Sequence, residues 1–338
     1  MRIPVVDHQG VALMPCTSPK AQLLIKEGKA RPKRNKLGLF FIQLTYVQAP
    51  DTQPLVMGID PGSSFEGYSV VGTCDTVLNL MVEAPTHVKN AVETRRTMRR
   101  ARRHRKWRRP CRSNNRLNRK KRIPPSTCSR WEAKARVVKH LMTILPLTCV
   151  VVEDVQATSK KGKKWNMAFS PVQVGKMHLY RLLSDMGLQV ETREGWQTKE
   201  LRDFYGLSKT KKKDKQAFDS HAVDAWVLAA TVSGATKPTC TRLWYVVPAR
   251  LYRRQLHALQ PSQGGIRRPY GGTWSMGLKR GTLVMHPKYG LCAVGGCDRK
   301  KKTISLHAYR NNKRLTQGAK VDVCHVLTWV AFRSWLVA

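Results

Sequence analysis

The sequence predicts an α/β protein whose main domain is interrupted by an arginine-rich helix. A small N-terminal α+β unit precedes this domain, and a basic, β-rich C-terminal domain follows it. Three observations support the prediction. Apolar runs with strand and helix spacing follow one another through residues 55–232 in the order βββ–α–β–α–β–α. Positive charge is concentrated in residues 89–122, and residues 241–338 combine many glycines and basic residues with short strand-like runs.

The charge balance excludes several classes of protein. The 338 residues include 62 Lys and Arg against 21 Asp and Glu, a formal net charge of +41. Such a chain repels itself unless it binds a polyanion, which argues against a free-standing metabolic enzyme. Since 41% of the residues are hydrophobic, the chain can form a core and is not expected to be disordered throughout. Nucleic acid is therefore the expected partner.

The apolar segments do not predict a membrane protein. The first ten residues contain no apolar stretch of the kind found in secretory signals. The two longest apolar runs, 141–152 and 321–338, are interrupted by Pro146 and by His325 and Arg333. We therefore expect a cytoplasmic protein with no membrane partner.

The elements before the basic segment are short. Residues 1–52 predict a small α+β unit that ends in the strand-like run LGLFFIQLTY. LVMGID predicts a buried strand ending on Asp60, and Pro61 and Gly62 begin a turn. GYSVVG and TVLNLMVEA then predict two more strands, which together with the first form a three-stranded meander.

The basic segment predicts one long helix over about 91–109, with arginines on every face. Residues 89–122 contain 17 Lys and Arg and a single acid, Glu93. Arg is a good helix former, and the first proline of this run is Pro110. A helix that is basic all round does not pack in an ordinary core, so we expect it to lie against nucleic acid. The alternative is a solvated basic segment.

The second half of the main domain alternates helices and strands. Residues 130–145 predict a helix, and CVVVED at 149–154 predicts a central strand buried on both faces. Residues 171–186 predict a helix ended by Gly187, LQVET predicts a strand, and residues 217–232 predict an apolar helix. The lysine runs 160–164 and 209–215 are predicted to be loops near nucleic acid.

Three acids stand at the ends of apolar elements and suggest a metal site. Asp60 and Glu153 each end a predicted strand, and Asp224 follows His221 by three residues on one helix face. The two strands are expected to be neighbours, which would place Asp60 beside Glu153. Clustered carboxylates repel one another unless a cation binds, and carboxylates favour Mg²⁺ or Mn²⁺. Asp154 competes with Glu153 for this role, and unrelated surface acids are the alternative.

The nine cysteines are scattered and predict free thiols in a reducing compartment. Cys292 and Cys297, followed by Cys324 and His325, have only a loose spacing. We therefore expect no zinc site. The cofactor expected from the carboxylates is Mg²⁺ or Mn²⁺, with two ions.

Several motifs resemble a known family. GIDPG at 58–62, VVVED at 150–154 and SHAVDA at 220–225 resemble the three split segments of a RuvC-like nuclease, which has an RNase H fold. The arginine-rich stretch between the first two resembles the bridge helix of CRISPR type II effector nucleases. The stretch VALMPCTSPKAQLLIKEGKA resembles the PLMP region of the transposon-encoded IscB proteins, with Ala12 in place of the signature proline.

The interval between the second and third motifs narrows the resemblance. IscB proteins carry an HNH nuclease between these two motifs. In this chain, Asp224 follows Glu153 by only 71 residues. The histidines of this interval are His178 and His221, and they do not form an HNH pattern. The chain therefore resembles the IsrB family, which lacks HNH. The resemblance divides the chain into a PLMP domain (1–52), RuvC segment one (53–90), a bridge helix and linker (91–127), RuvC segment two (128–165), RuvC segment three (166–240) and a guide-RNA and target-adjacent-motif domain (241–338).

The resemblance implies a prokaryotic RNA-guided nickase that is associated with the nucleoid when it is bound to DNA. Such a protein forms a ribonucleoprotein, here with one protein chain, on a long structured guide called the ω RNA. It opens double-stranded target DNA beside a short target-adjacent motif and cuts the displaced non-target strand. Asp60, Glu153 and Asp224 would hold the metal, and His221 would orient or deprotonate the attacking water.

The predicted nucleic-acid contacts fall in two segments. Arginines of the bridge-like helix are assigned to guide-RNA phosphates: Arg95, Arg96, Arg99, Arg100, Arg102, Arg103, Arg105 and Arg108. A polar loop of the last domain is assigned to the target-adjacent motif, with a structural hairpin as the alternative: Tyr309, Arg310, Asn311, Asn312, Lys313 and Arg314. Trp107 would either stack on a base or pack on the nuclease domain.

Two other functions stay open on the sequence alone. One is a guide-free, structure-selective endonuclease such as a junction resolvase, against which the bridge-like helix argues. The other is a non-catalytic RNA-binding protein with a decayed nuclease domain. The presence of all three carboxylates together with His221 argues against decay.

Overall fold

The computed structural model describes residues 2–104, 123–156, 171–249, 259–260, 265–266 and 274–337. The helices are α1 Ser18–Lys26, α2 His87–His104, α3 Pro125–Met142, α4 Pro171–Ser184, α5 Gly195–Phe204 and α6 Val223–Ser233. The strands are β1 Ile3–Val6, β2 Ala12–Cys16, β3 Ala30–Arg34, β4 Phe40–Leu44, β5 Leu55–Asp60, β6 Phe65–Val71, β7 Thr76–Glu83, β8 Leu147–Asp154, β9 Gln189–Glu194, β10 Leu243–Pro248, β11 Leu259–Gln260, β12 Gly265–Ile266, β13 Trp274–Ser275, β14 Leu278–Lys279, β15 Thr282–His286, β16 Gly290–Asp298, β17 Thr303–Ala308, β18 Arg314–Ala319, β19 His325–Trp329 and β20 Phe332–Val337.

The chain divides into two compact units. The first contains residues 1–31, 42–245 and 336–338, and the second contains residues 32–41 and 246–335. The residues of the predicted N-terminal domain are thus shared between the units, and the predicted boundary after residue 240 falls just before β10. None of the helices in the described ranges combines the length and the apolar character needed to cross a membrane.

The central sheet confirms the predicted α/β class. Five strands lie in the order β7-β6-β5-β8-β9, and β10 and β20 extend the sheet beyond β7. β6 is antiparallel to β5 and β7, whereas β5, β8 and β9 are mutually parallel. The three-stranded meander that the sequence predicts is thus joined to two parallel strands. β5, β6, β7 and β8 are buried along nearly their whole length, as their continuous apolar runs predict.

Two glycines let α6 approach the sheet closely. A Cβ atom on Gly58 of β5 would lie 1.8 Å from the backbone oxygen of Ala225, which is inside van der Waals contact. A Cβ atom on Gly67 of β6 would lie 2.1 Å from the backbone oxygen of His221. Because alternate residues of a strand face opposite sides, Glu66 points away from α6. It pairs there with Lys134 of α3, so helices cover both faces.

The helices differ in detail from those predicted. α2 confirms the basic helix as far as residue 104. α3 begins five residues earlier than expected, because Pro125 takes its first turn, where a proline loses no hydrogen bond. The helix predicted over 217–232 begins as a π-helical turn, Phe218–Ala222, and continues as α6.

One helix, α5, was not predicted. It starts with a capping box in which the Glu194 side chain accepts from the third helical residue and Gln197 accepts from the Glu194 backbone, at 2.8 Å. The sequence signal was weak because the box uses Glu rather than Ser or Thr and is followed at once by Gly195.

The remaining sheets agree with the predicted flanks. β2-β1-β4-β3 form a four-stranded sheet in the N-terminal part, with α1 after β2. In the second unit, β18-β17-β16-β15-β19 form an antiparallel sheet, which confirms the β-rich C-terminal prediction. Its core includes Cys292 and Cys324, so these thiols lie among apolar side chains.

Candidate active site

Asp60 and Glu153 lie side by side at the carboxyl ends of β5 and β8. In the parallel register, Gly58 pairs with Val151 and Ile59 with Val152. Two residues beyond Gly58 and Val151, Asp60 and Glu153 therefore face the same side of the sheet, toward α6. Each carboxyl group shifts the pKa of the other, as expected of groups that lie close together. This confirms the predicted juxtaposition.

Asp154 points to the opposite face and is not the equivalent acid. Its Oδ1 lies 2.6 Å from Nζ of Lys176 and accepts a hydrogen bond of 2.7 Å from the hydroxyl of Tyr180, both on α4. Burial raises the pKa of Asp154, but the hydrogen bonds from Lys176 and Tyr180 outweigh burial and hold this pKa below its usual value. Glu153 is thus the acid beside Asp60, and Asp154 anchors α4.

The start of α6 brings His221 and Asp224 to the same place. Nδ1 of His221 lies 3.2 Å from Oδ2 of Asp60, and Nε2 lies 3.0 Å from the backbone oxygen of Lys213. Both ring nitrogens thus lie within hydrogen-bonding distance of an oxygen atom. Asp60, His221 and Asp224 are 6%, 7% and 2% exposed, which places the centre beneath the surface.

Two cations that the sequence analysis did not assign complete the cluster. Lys209 contacts the carboxylates of both Asp60 and Asp224, with Nζ 3.5 Å from Oδ2 of Asp60. Arg202 of α5 contacts the other oxygen of Asp224. Lys209 belongs to the lysine run that was predicted to be a loop, and no local pattern separates it from its neighbours. Lys209 is half-buried because the tertiary structure brings Asp60 and Asp224 beside it.

The cluster perturbs the acidity of its members. Burial and then the negative charge of Asp60 raise the pKa of Glu153 to about 8. Burial also raises the pKa of Asp60, but the hydrogen bond with His221 and the charge of Lys209 bring it below its usual value. For Lys209, burial lowers the pKa, and the charges of Asp60 and Asp224 outweigh this and raise it. Glu153 is thus protonated at neutral pH when no other cation joins the cluster.

A buried ion pair supports the turn that follows Asp60. Nζ of Lys134 contacts the Glu66 carboxylate, and it also lies 3.3 Å from the backbone oxygen of Gly62. The hydroxyl of Tyr68 donates to Glu66 at 2.6 Å. Sequence analysis missed this pair, although Lys134 lies on the apolar face of its helix. The pair connects α3 to the turn that fixes the position of Asp60.

The donor set fits a hard divalent cation. Asp60, Glu153 and Asp224 offer only carboxylate oxygens, which are the ligands that Mg²⁺ and Mn²⁺ prefer. The ammonium of Lys209 stands between Asp60 and Asp224, where positive charge is needed. With this ammonium in place, the three carboxylates do not form a group whose ligand atoms all lie within 4.8 Å of one another. A metal ion held by these three carboxylates would supply the positive charge that Lys209 supplies here.

The predicted nucleic-acid contacts are placed in part. Arg95, Arg96 and Arg100 are exposed on α2. Arg99, Arg102 and Arg103 lie in the same helix. Arg105, Arg108 and Trp107, like the lysine run 160–164, lie outside the described residues.

The loop predicted to read the target-adjacent motif is the turn between β17 and β18. Tyr309 is buried and its hydroxyl accepts from the backbone N–H of Ser334 at 2.9 Å, so this side chain does not face a ligand. Asn311 accepts from the Lys313 backbone at 2.9 Å, and Asn312 has a left-handed φ of 58°. Arg310, Asn311, Asn312, Lys313 and Arg314 are exposed. The hairpin alternative thus accounts for Tyr309, whereas a DNA contact by the exposed residues stays a prediction.

One protein-family model matches the N-terminal part of the chain. Residues 3–168, just under half of the chain, match the family model described as RRXRR protein. Residues 99–103 read Arg-Arg-Ala-Arg-Arg. The comparison with curated proteins gave no match.

Among solved structures, the chain is similar to RuvC from T. thermophilus in complex with a Holliday junction substrate, with 17% identity and a TM-score of 0.29 over 53% of this chain and 92% of that one. A second Thermus thermophilus RuvC structure shares 15% identity, with a TM-score of 0.29, over 54% of this chain and 99% of that one. A likeness at this level assigns no activity to this chain.

Proposed function

We propose that this protein is an RNA-guided endonuclease that nicks the non-target strand of a guide-matched DNA duplex, next to a target-adjacent motif, by metal-dependent phosphodiester hydrolysis. The convergence of Asp60, Glu153 and Asp224 beside His221 carries the proposal. These side chains come from β5, β8 and α6, so their meeting is not a consequence of sequence proximity. A buried acidic centre is unusual in a chain with a net charge of +41.

Asp60, Glu153 and Asp224 would hold Mg²⁺ or Mn²⁺. When bound, such ions activate a water molecule and stabilise the leaving oxygen of the phosphodiester. His221 holds Asp60 by the 3.2 Å contact and, once that contact is released, offers a ring nitrogen that can take a proton from water. Arg202 and Lys209 supply positive charge beside an anionic phosphodiester.

Cutting of a single strand is supported by the sequence between the acidic motifs. The interval from Glu153 to Asp224 contains α4, β9 and α5, and its histidines are His178 and His221. Its sequence therefore lacks the histidine pattern of an inserted HNH nuclease. One carboxylate centre hydrolyses one strand at a time.

Guidance by RNA is supported by the basic helix. α2 presents Arg95, Arg96 and Arg100 to solvent, and side chains of this kind contact phosphates without reading bases. A protein of 338 residues covers little of a long heteroduplex, so base pairing by RNA would supply the sequence specificity. The match to the RRXRR family model includes this arginine-rich segment.

The first experiment tests the guide. The protein is expressed together with the noncoding DNA that flanks its gene and purified at high salt, and the RNA that stays bound is sequenced. One discrete structured transcript with a variable end is expected. A broad mixture of host RNA without this transcript would refute RNA guidance.

The second experiment tests the chemistry with the purified complex. A plasmid carrying the matched target should become nicked only in the presence of Mg²⁺ or Mn²⁺, whereas a scrambled target stays intact. Asp60→Asn should reduce nicking more than ~100-fold, since even residues that only support metal ligands cost 10- to 100-fold. Asp154→Asn, on the opposite face of β8, is the matched control and should retain activity. Cutting of a four-way junction without RNA would instead favour a structure-selective nuclease.

A further inference from the structure

A second group of potential metal ligands lies between α3 and α4. In the part of the chain that the structure describes, one set of three Cys, His, Asp or Glu side chains has all its ligand atoms within 4.8 Å of one another: Cys128, Glu132 and His178. Cys128 and Glu132 are four residues apart and therefore share one face of α3. His178 projects from α4. None of the three takes part in the carboxylate centre described above.

The imidazole of His178 lacks a hydrogen bond at the position where a ligand would bind. Its Nε2 atom is buried and has no hydrogen-bond partner. Oε1 of Glu132 lies 3.5 Å away, which is longer than a normal N–H···O hydrogen bond. An unsatisfied buried nitrogen costs free energy that a bound cation would recover.

The spacing agrees with coordination rather than with hydrogen bonding. A tetrahedral ion with bonds of about 2.0 to 2.3 Å places its ligand atoms roughly 3.3 to 3.7 Å apart. The separation of 3.5 Å between His178 Nε2 and Glu132 Oε1 falls in this range. The Glu132 side chain is 47% exposed, which leaves room for a water molecule as a fourth ligand.

The surrounding packing holds the two helices in a fixed relation. A Cβ atom on Gly175 would lie 1.8 Å from Nε1 of Trp131, so α4 approaches α3 as closely as glycine permits, one turn before His178. Lys176, the next residue, pairs with Asp154 at the end of β8. On α3, Lys134 is tied to Glu66 of β6. The three ligands therefore stand on rigid elements, as a preorganised site requires.

From this arrangement we infer that Cys128, Glu132 and His178 bind a zinc ion that ties α3 to α4. Thiolate, imidazole and carboxylate groups are each ligands that zinc accepts, whereas Mg²⁺ prefers oxygen ligands. The site is therefore distinct in chemistry from the all-oxygen centre at Asp60. Binding requires the Cys128 thiolate, so the thiol proton passes to solvent when the ion enters.

This site differs from the zinc candidates in the sequence. The loosely spaced Cys292, Cys297 and Cys324 lie in or against the apolar core of the second unit. Cys128 and Glu132 are four residues apart, which is a common spacing in any helix, and the third ligand, His178, comes from another helix. No sequence motif would reveal the group, and the expectation that zinc is absent was drawn without it.

Co²⁺ titration of the full-length, metal-stripped protein tests the inference. Tetrahedral Co²⁺ with a thiolate ligand gives intense visible d–d bands and a near-ultraviolet sulfur-to-cobalt band. A six-coordinate, all-oxygen site gives only weak d–d bands and no sulfur band. The wild-type protein should show these bands at one Co²⁺ per chain, and Zn²⁺ should abolish them. Cys128→Ser should remove the sulfur band, and Glu132→Gln should weaken binding by roughly tenfold or more.

Two controls keep the test decisive. Cys74→Ser, which changes an exposed thiol elsewhere, and Asp60→Asn, which disables the carboxylate centre, should both leave the bands unchanged. Persistence of the sulfur band in Cys128→Ser, or absence of the sulfur band in the wild type, would overturn the inference. Should Cys128→Ser fail to fold by circular dichroism, unchanged Co²⁺ affinity in Glu132→Gln, a change at an exposed position, would overturn it.

Discussion

Binding of Mg²⁺ to the carboxylate centre should release a proton from Glu153. Burial and the charge of Asp60 raise the pKa of Glu153 to about 8, so the acid is mostly protonated at pH 7 in the metal-free protein. A metal ion requires the ionised form and competes with that proton. The same pKa sets the size of the effect.

The magnitude follows from the titration of one group. With a pKa of about 8, only about one eleventh of Glu153 is ionised at pH 7, and about ten elevenths at pH 9. Mg²⁺ binding at pH 7 should therefore release about 0.9 proton, and the apparent affinity should rise about tenfold between pH 7 and pH 9. The sign is fixed, because the raised pKa favours the protonated acid, so affinity falls as pH drops below 8.

Isothermal titration calorimetry in buffers of different ionisation enthalpy measures this proton release. Glu153→Gln should abolish it and weaken binding, whereas Asp154→Asn should leave it unchanged, because Asp154 faces Lys176 on the other side of β8. Release close to zero at pH 7 in the wild-type protein would refute the reasoning. An unchanged release in Glu153→Gln would show that another group supplies the proton.

Three further predictions concern the packing and charge around the site. Gly58→Ala should lower the free energy of unfolding, measured by urea titration, by about 1–3 kcal/mol or more, because the added Cβ would clash with the backbone of α6. Gly318→Ala is the control and should have little effect, because a Cβ there meets no neighbouring atom. Lys134→Met should cost about 3–5 kcal/mol by leaving the Glu66 charge buried and unpaired, and adding Glu66→Gln should recover part of it; no recovery would contradict this account. Lys209→Met should lower the melting temperature of the metal-free protein. Saturating Mg²⁺ should reduce the difference from wild type, since the ion replaces the lost positive charge. An equal loss of melting temperature with and without Mg²⁺ would contradict this role of Lys209.

The choice between neighbouring acids shows where sequence reasoning stops. VVVED contains two adjacent carboxylates at the end of one strand, and either could face Asp60. The parallel register, which pairs Gly58 with Val151, directs Glu153 toward α6 and Asp154 toward α4. A shift of one residue would exchange the two, and the local pattern does not specify this shift.

The cations of the site show a second limit. Lys209 is one of several lysines in a short run, and the whole run was predicted to be a loop near nucleic acid. Lys209 differs from the other lysines of the run because its ammonium contacts the carboxylates of Asp60 and Asp224. Tyr309 was similarly assigned to a polar loop, yet its ring is buried and its hydroxyl is used by the Ser334 backbone.

Local sequence patterns are enough to predict the α/β class, the strands that end on Asp60 and Glu153, and the basic helix up to residue 104. Continuous apolar runs, turn residues and local charge specify these features, and all of them act over a few neighbouring positions. Tertiary structure alone decided the partners of each acid, the place of Lys209 within the cluster and the meeting of Cys128, Glu132 and His178. These depend on strand register and helix packing between segments far apart in the chain, which no local pattern encodes.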